Sequence, residues 1–289
     1  MNLTDFQQQL QTHLYLRFDY RVLHWTPVAG STINNCYQLS LQDGQTLFIK
    51  YRDNPAAGFY EAEKQNLYAL QTSECLKVPK VIDQTEEALI LRWIPHGPPS
   101  DSAQFKLGQQ LAQLHSQPAP CFGFEQDNFC GLSPQHNPKM DNGIEFFAQH
   151  RLLSQGQRAR DAGYLTFHEF KQLEQVSQQL AQWLPEQAPA LLHGDLWAGN
   201  FMVDDQDTPW LIDPACYWGW PEVDLATSHM FGGFSEAFYR GYSDGRTVEP
   251  GFEERIDLYN LYHWLNHLNM FGSQYHSAVS GILRRFAGA

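Results

Sequence analysis

Three polar side chains between Leu191 and Pro214 carry the strongest chemical signal in the chain. Asp195 is followed five residues later by Asn200, Asp213 comes after a short turn, and His193 stands two residues before the first aspartate. A carboxylate can accept the proton of an attacking hydroxyl. An amide oxygen and a second carboxylate are hard ligands of the kind that Mg2+ prefers. The order His-x-Asp, four residues, Asn and then a later Asp is that of a phosphoryl-transfer catalytic loop. That pattern assigns Asp195 as the base and Asn200 and Asp213 as ligands of Mg2+ beside ATP. Residues 201–203 and 210–212 read as two short strands around an Asp-Asp-Gln-Asp-Thr-Pro turn, which brings Asn200 near Asp213. An acidic surface hairpin would need neither the His-x-Asp start nor an aspartate directly after Leu211-Ile212.

Elements upstream must deliver a cation to those acids. Residues 21–29, 36–42 and 45–51 read as three strands, the last two joined by the hairpin signal Asp43-Gly44. Between the first two lies Gly30-Ser31-Thr32, where backbone N–H groups of Ser31 and Thr32 could approach a phosphate. Lys50 closes the third strand, and a helix over residues 58–71 offers Glu61 and Glu63 as partners. Its apolar stripe is Phe59, Ala62, Leu67 and Leu70. Glu63 falls on that stripe, while Glu61 points about 200° away at about 100° per residue. Glu63 is therefore the chosen partner, and the Lys50–Glu63 pair is assigned to the ATP phosphates. Residues 77–82 and 88–93 read as further strands. The second opens the hinge against which an adenine would lie, and Trp93 at its end is assigned to the nucleotide site. The Pro- and Gly-rich residues 94–100 read as the linker between lobes.

Further on, a helix capped by Asp101-Ser102 carries His115, read as structural. Helices over residues 142–162 and 166–184 lead to the catalytic stretch. At the amino terminus a short helix follows a cap at Thr4 or Asp5, and Pro221 opens another helix. The final segment, residues 234–288, reads as helices. His263 and His267 are one turn apart, but no glutamate stands second in His-Trp-Leu-Asn-His, so they read as core or surface histidines and not as a metal pair.

His-Gly-Asp-Leu-Trp-x-Gly-Asn at 193–200, Ile-Asp-Pro-Ala at 212–215, Glu-Val-Asp-Leu-Ala at 222–226 and Phe-Gly-Gly-Phe at 231–234 resemble the fructosamine/ketosamine kinase family. That family belongs to the aminoglycoside-phosphotransferase-like small-molecule kinases. The resemblance implies an α+β, two-lobed protein-kinase-like fold: a small antiparallel β-sheet lobe over residues 1–94 and a larger, mainly helical lobe over 95–289. It implies ATP-dependent phosphorylation of the 3-hydroxyl of a ketosamine, either a small molecule or a glycated protein lysine. The product falls apart and frees the amine. Asp224 would brace the catalytic loop from beneath, with His193 in support. Trp197 is either a platform for the sugar or amine, or a packing residue. Residues 116–141 form either a wall of the sugar site or a structural loop, and Arg151 either anchors an acidic group or makes a surface salt bridge. The chain departs from the family in having Gly-Ser-Thr-Ile-Asn where a second glycine is usual, and Trp220-Pro221 where a polar pair is usual.

Composition narrows the classes. The 289 residues are 43% hydrophobic and 14% aromatic, enough for a sizeable core. A formal net charge of −13 excludes the basic footprint of a nucleic-acid binder. No apolar run is long enough for a membrane span, and the first residues lack the pattern of a signal peptide, so a cytoplasmic protein is expected. Five widely spaced cysteines read as reduced thiols, with Cys36 near the phosphate loop a candidate redox-sensitive one. The residues leave two other functions open. One is a kinase of the same fold acting on an aminoglycoside, choline or an amino alcohol. The other is a catalytically dead binding protein, against which the intact Lys50, Asp195, Asn200 and Asp213 speak.

Overall fold

The computed structural model describes residues 3–288. Helix α1 (Leu3–Phe18) precedes β1 (Val22–Val28), β2 (Asn35–Leu41) and β3 (Thr46–Tyr51). Then come α2 (Phe59–Thr72), β4 (Val81–Gln84) and β5 (Ala88–Arg92). The five strands form one antiparallel sheet in the order β1-β2-β3-β5-β4. Period-two alternation divides β3 between two faces. Leu47, Ile49 and Tyr51 pack with Phe6, Leu10 and Leu14 of α1 in an apolar cluster of their own. Phe48 and Lys50 therefore face the opposite way, into a cleft. Lys50 stands in register with Cys36 on one side and Leu89 on the other, and is only 4% exposed.

Some boundaries differ from expectation for identifiable reasons. Helix α1 already begins at Leu3, so Thr4 and Asp5 lie in its first turn, where an acid suits the positive end of the helix dipole. The strand expected from residue 77 starts only at Val81, after Pro79, which has no N–H for a ladder. Residues 94–100 cross to the second lobe. There the Gly97 N–H donates to the Val203 carbonyl at 2.8 Å, and a Cβ on Gly97 would sit 2.2 Å from the Asp204 carbonyl oxygen. Ser100, not Asp101 or Ser102, caps α3 (Asp101–His115): its Oγ accepts the Ala103 N–H at 2.9 Å.

The stretch expected as a long loop is partly folded. It contains the hairpin β6 (Asn128–Cys130) and β7 (Ser133–Gln135), turning at Gly131 with φ +60°. Buried Asn128, Gln135 and Asn137 bond one another there. The helix expected over 142–162 is broken into α4 (Gly143–Phe147), a π-helical turn at Ala148–Leu153 and α5 (Ser154–Asp161). Thr166 and Glu169 form a capping box at the start of α6 (Phe167–Gln179), which is shorter than expected. Strand β8 (Ala190–Leu192) pairs with β11 (Tyr217–Gly219), and β9 (Phe201–Val203) pairs with β10 (Pro209–Leu211). Helices α7 (Pro221–Ser228), α8 (Glu236–Gly245), α9 (Phe252–Phe271) and α10 (His276–Ala287) complete the lobe.

Arg151 sits in the π-helical turn and is fully buried, so it makes no surface salt bridge. Its guanidinium donates to the His136 carbonyl at 2.8 Å and to Asn137 Oδ1 at 2.6 Å. It also lies over the rings of Tyr217, Phe146 and Tyr262, 4.0, 4.6 and 5.5 Å from their centroids. These partners are carbonyls and π faces, so it anchors the β6–β7 segment to the core and not an acidic ligand. A planar fork makes all these contacts at once, which an ammonium cannot. Arg151→Lys is expected to lower unfolding free energy by about 3 kcal/mol, measured by urea denaturation.

Candidate active site

The cleft between sheet and helices has a volume of about 520 Å³. Lys50 crosses it. Its Nζ donates to Glu63 Oε1 of α2 at 2.5 Å and to Asp213 Oδ1 at 2.5 Å. Burial works against the ammonium, but the two carboxylates outweigh it and push its pKa up, so the charge persists. Glu61 instead pairs with Lys64, one turn along the same helix. Asp213 has φ +55°, an uncommon left-handed conformation that aspartate tolerates better than most residues. It stands two residues past the end of β10, after Ile212, and the bend turns its carboxylate back toward Lys50.

The loop carrying Asp195 is held from beneath. Asp224, fully buried in α7, accepts the His193 N–H at 2.7 Å and the Gly194 N–H at 2.9 Å. Burial opposes its charge, but bonds from His115 and from these amides keep its pKa below the ordinary carboxylate value. His115 Nε2 lies 3.3 Å from Asp224 and its Nδ1 lies 3.0 Å from the Tyr242 hydroxyl. His193 is neutral, since burial lowers its pKa. The Asp195 N–H points at His193 Nδ1 at 3.3 Å, so Nδ1 is the bare nitrogen and Nε2–H donates to the Ile212 carbonyl at 3.0 Å. Gly194 has φ +81°, and a Cβ there would lie 2.0 Å from the Ala215 carbonyl oxygen, so only glycine fits between the two strands.

Asn200 closes the loop. Its Nδ2 donates to the Asp195 carbonyl at 2.9 Å and to Asp195 Oδ2 at 3.0 Å. Both amide protons are thereby used, which leaves Oδ1 as the end suited to a cation. Its backbone carbonyl accepts the Ile212 N–H at 3.0 Å, tying it to the residue before Asp213. The Asn200 oxygen and the Asp213 carboxylate are thus a hard donor pair that fits Mg2+. Desolvation raises the Asp195 pKa most, with Asp213 and Asp224 adding to it against the Asn200 bond, and brings it to about 7.

At the nucleotide end, Gly30 takes φ +113°, and Ser31 Oγ accepts the N–H groups of Ile33 and Asn34 at 3.3 and 3.0 Å. Gly30, Ser31, Thr32 and Trp93 all line the cleft. The Trp93 ring lies 6.1 Å from Phe48. Cys36 is buried, and burial raises its pKa, the opposite of a reactive thiolate. At the other mouth, Trp197 is 37% exposed and leans edge-on to Phe231 at 5.8 Å, so it is not a buried packing residue.

Sequence reasoning missed a second rank of side chains. Cys130, Asn266, His267 and Met270 line the cleft from β6 and α9. His263 lies behind them, with Nδ1 3.9 Å from Asp195 Oδ1. The spacing of His263 and His267 is spent within the helix, where the His267 ring bonds the His263 carbonyl at 2.8 Å. Nothing local marks their approach to a loop 68 residues away, since only packing of α9 creates it.

The raised Asp195 pKa has a thermodynamic sign. Its carboxyl ordinarily titrates at 3.8, so from there to about 7 the folded state binds more protons and stability falls as pH rises. The full cost is present above about 7. Asp195→Asn removes it: the metal-free variant is expected to be more stable than the parent near pH 8 by about 2–4 kcal/mol. That gain should shrink as pH drops toward about 4, measured by thermal denaturation across the pH range.

Comparisons with known proteins identify the family and the fold. The fructosamine kinase family matches residues 3–288. A probable ketoamine kinase of Synechocystis is 37% identical over 272 residues, covering 92% of this chain and 91% of that one. The crystal structure of a putative fructosamine-3-kinase from Thermobifida fusca superposes with a TM-score of 0.88 at 31% identity, covering 97% of this chain and 99% of the other. A streptomycin–ATP complex of the phosphotransferase APH(2")-IIa, with a TM-score of 0.65 at 15% identity and covering 99% and 98% of the two chains, shares the fold. Residues 3–288, carrying Lys50, Asp195, Asn200 and Asp213 on an α+β, protein-kinase-like framework, belong to the fructosamine kinase family.

Proposed function

We propose that this chain transfers the terminal phosphoryl group of ATP to the 3-hydroxyl of a ketosamine, either a small molecule or a glycated protein lysine. The observation that carries this reading is the convergence of Lys50, held by Glu63 and Asp213, with Asp195, held by Asn200, in one cleft. Residues 1–94 act as the nucleotide lobe and residues 95–289 as the lobe that holds the sugar.

Asp195 orients the sugar hydroxyl and takes its proton, and a pKa of about 7 suits a base working near neutrality. Lys50 neutralises phosphate charge while Glu63 fixes its direction. The Gly30-Ser31-Thr32 loop covers the phosphates, and Trp93 flanks the adenine. Asn200 and Asp213 hold Mg2+, which, when bound, screens the charge that builds on the transferring group. Asp224 and His193 keep the Asp195 backbone in place before substrate arrives. Trp197 offers an exposed aromatic face to the sugar or its amine. Five unpaired cysteines, four of them buried, fit a reducing cytoplasm.

The test is ADP release with a fructosamine and, separately, with aminoglycosides and choline, followed by NMR of the product. Turnover with the fructosamine and phosphate on its 3-hydroxyl are expected; turnover with only the other acceptors would overturn the reading. Asp195→Asn should lower kcat by about 10²–10⁴ while nucleotide binding persists. Gly199 offers a check on Trp197, since a Cβ on Gly199 would lie 2.2 Å from the indole. Gly199→Ala displaces that ring and is expected to raise KM for the sugar more than it lowers kcat, read from steady-state kinetics.

A further inference from the structure

Beside Asp195 stand two donors, Cys130 and His263, that phosphoryl transfer does not use. One ligand atom each from Cys130, Asp195 and His263 lie within 4.8 Å of one another. The three come from different elements, β6, the loop after β8, and α9, so the cluster is a product of the tertiary fold. His263 is 1% exposed, and neither of its ring nitrogens has a hydrogen-bond partner among the described residues. A buried polar group with no partner is rare and calls for an explanation. Nδ1 points toward Asp195. Cys130 is 2% exposed, and Asn266 Nδ2 fixes it through both its carbonyl at 3.2 Å and its Sγ at 3.3 Å. Cys130 and Asp195 both line the cleft, so an ion entering it can reach them.

An imidazole nitrogen, a sulfur and a carboxylate oxygen form a tetrahedral, borderline-soft donor set. That set selects Zn2+, whereas the all-oxygen pair of Asn200 and Asp213 suits Mg2+. We infer that Cys130, Asp195 and His263 form a Zn2+ site, and that an occupied site holds the kinase inactive. Ligand atoms around Zn2+ stand about 3.3–3.8 Å apart, from bond lengths of about 2.0–2.3 Å, so the three side chains close by about 1 Å on binding. The Cys130 thiol gives its proton to solvent and binds as thiolate, Asp195 binds as carboxylate, and His263 contributes a lone pair. Two negative charges then meet two positive ones, and the buried complex is neutral. The fourth position faces the cleft, open to water. Asp195, its oxygen committed to the metal, no longer accepts a hydroxyl proton. The metal site stands on the three side chains alone; only the loss of turnover rests on the assignment of Asp195 as base.

The full-length metal-free protein titrated with Co2+ tests this. A near-ultraviolet thiolate-to-cobalt band saturating at one equivalent, and displaced by Zn2+, is expected. Cys130→Ser should abolish the band, and His263→Asn should weaken Co2+ binding at least about tenfold. Thermal melts of both variants establish that they are folded, and either folded variant suffices. A missing band, or a band that survives in Cys130→Ser, would overturn the site. In kinase assays with Mg2+ in excess, Zn2+ should inhibit the parent at least about tenfold more strongly than Cys130→Ser. Equal inhibition of the two would place the ion at Asn200 and Asp213 and refute the inference. A saturating cobalt band without any inhibition would uphold the metal site and reject Asp195 as the base.

Discussion

Everything in the cleft depends on one buried ammonium. Lys50 is only 4% exposed, so it must keep anions within reach, and it takes one from α2 and one from the bend after β10. A buried charge that loses a partner is costly, far more so than a pair at the surface. The sheet, α2 and the bend after β10 are therefore locked into one mutual arrangement by this contact.

A second constraint acts beneath the loop. Asp224 is a fully buried carboxylate whose charge is spread over two backbone amides and His115. It sets the path of residues 193 and 194, and the cramped Gly194 sets how closely that path can approach Ala215. His193 then relays this geometry to the far strand through its two ring nitrogens, one accepting from Asp195 and one donating to Ile212. The positions of Asp195, Asn200 and Asp213 thus follow from hydrogen bonds made entirely within the protein, which is what preorganisation requires.

How much of this was legible in the sequence depended on the range of the interaction. The alternation in β3, the stripe on α2 and the Asp-to-Asn spacing are local periodicities, and each placed its residues in the cleft. Choosing Glu63 over Glu61 needed only the helical angle. The π-helical turn had no such signal. Arg151, which lies in it, looks like any surface arginine until Tyr217 and Tyr262, 66 and 111 positions away, enclose it. Cys130 and His263 were equally silent, because their meaning lies in what α9 and β6 bring to Asp195. The hairpin inside residues 116–141 was hidden by its shortness: three residues per strand carry no readable period.

The apolar interior is partitioned unevenly. Side chains of α2 and the inner face of β5 belong to the same cluster as the helices of the large lobe. Among the described residues, α1 and the outer face of the sheet have a separate reservoir. Fraying of that outer layer would expose Phe6, Leu10 and Leu14 while leaving the cleft walls in contact. The amino-terminal helix thus lines the back of the sheet, and its protection against solvent deuterium would report on that face and not on the site.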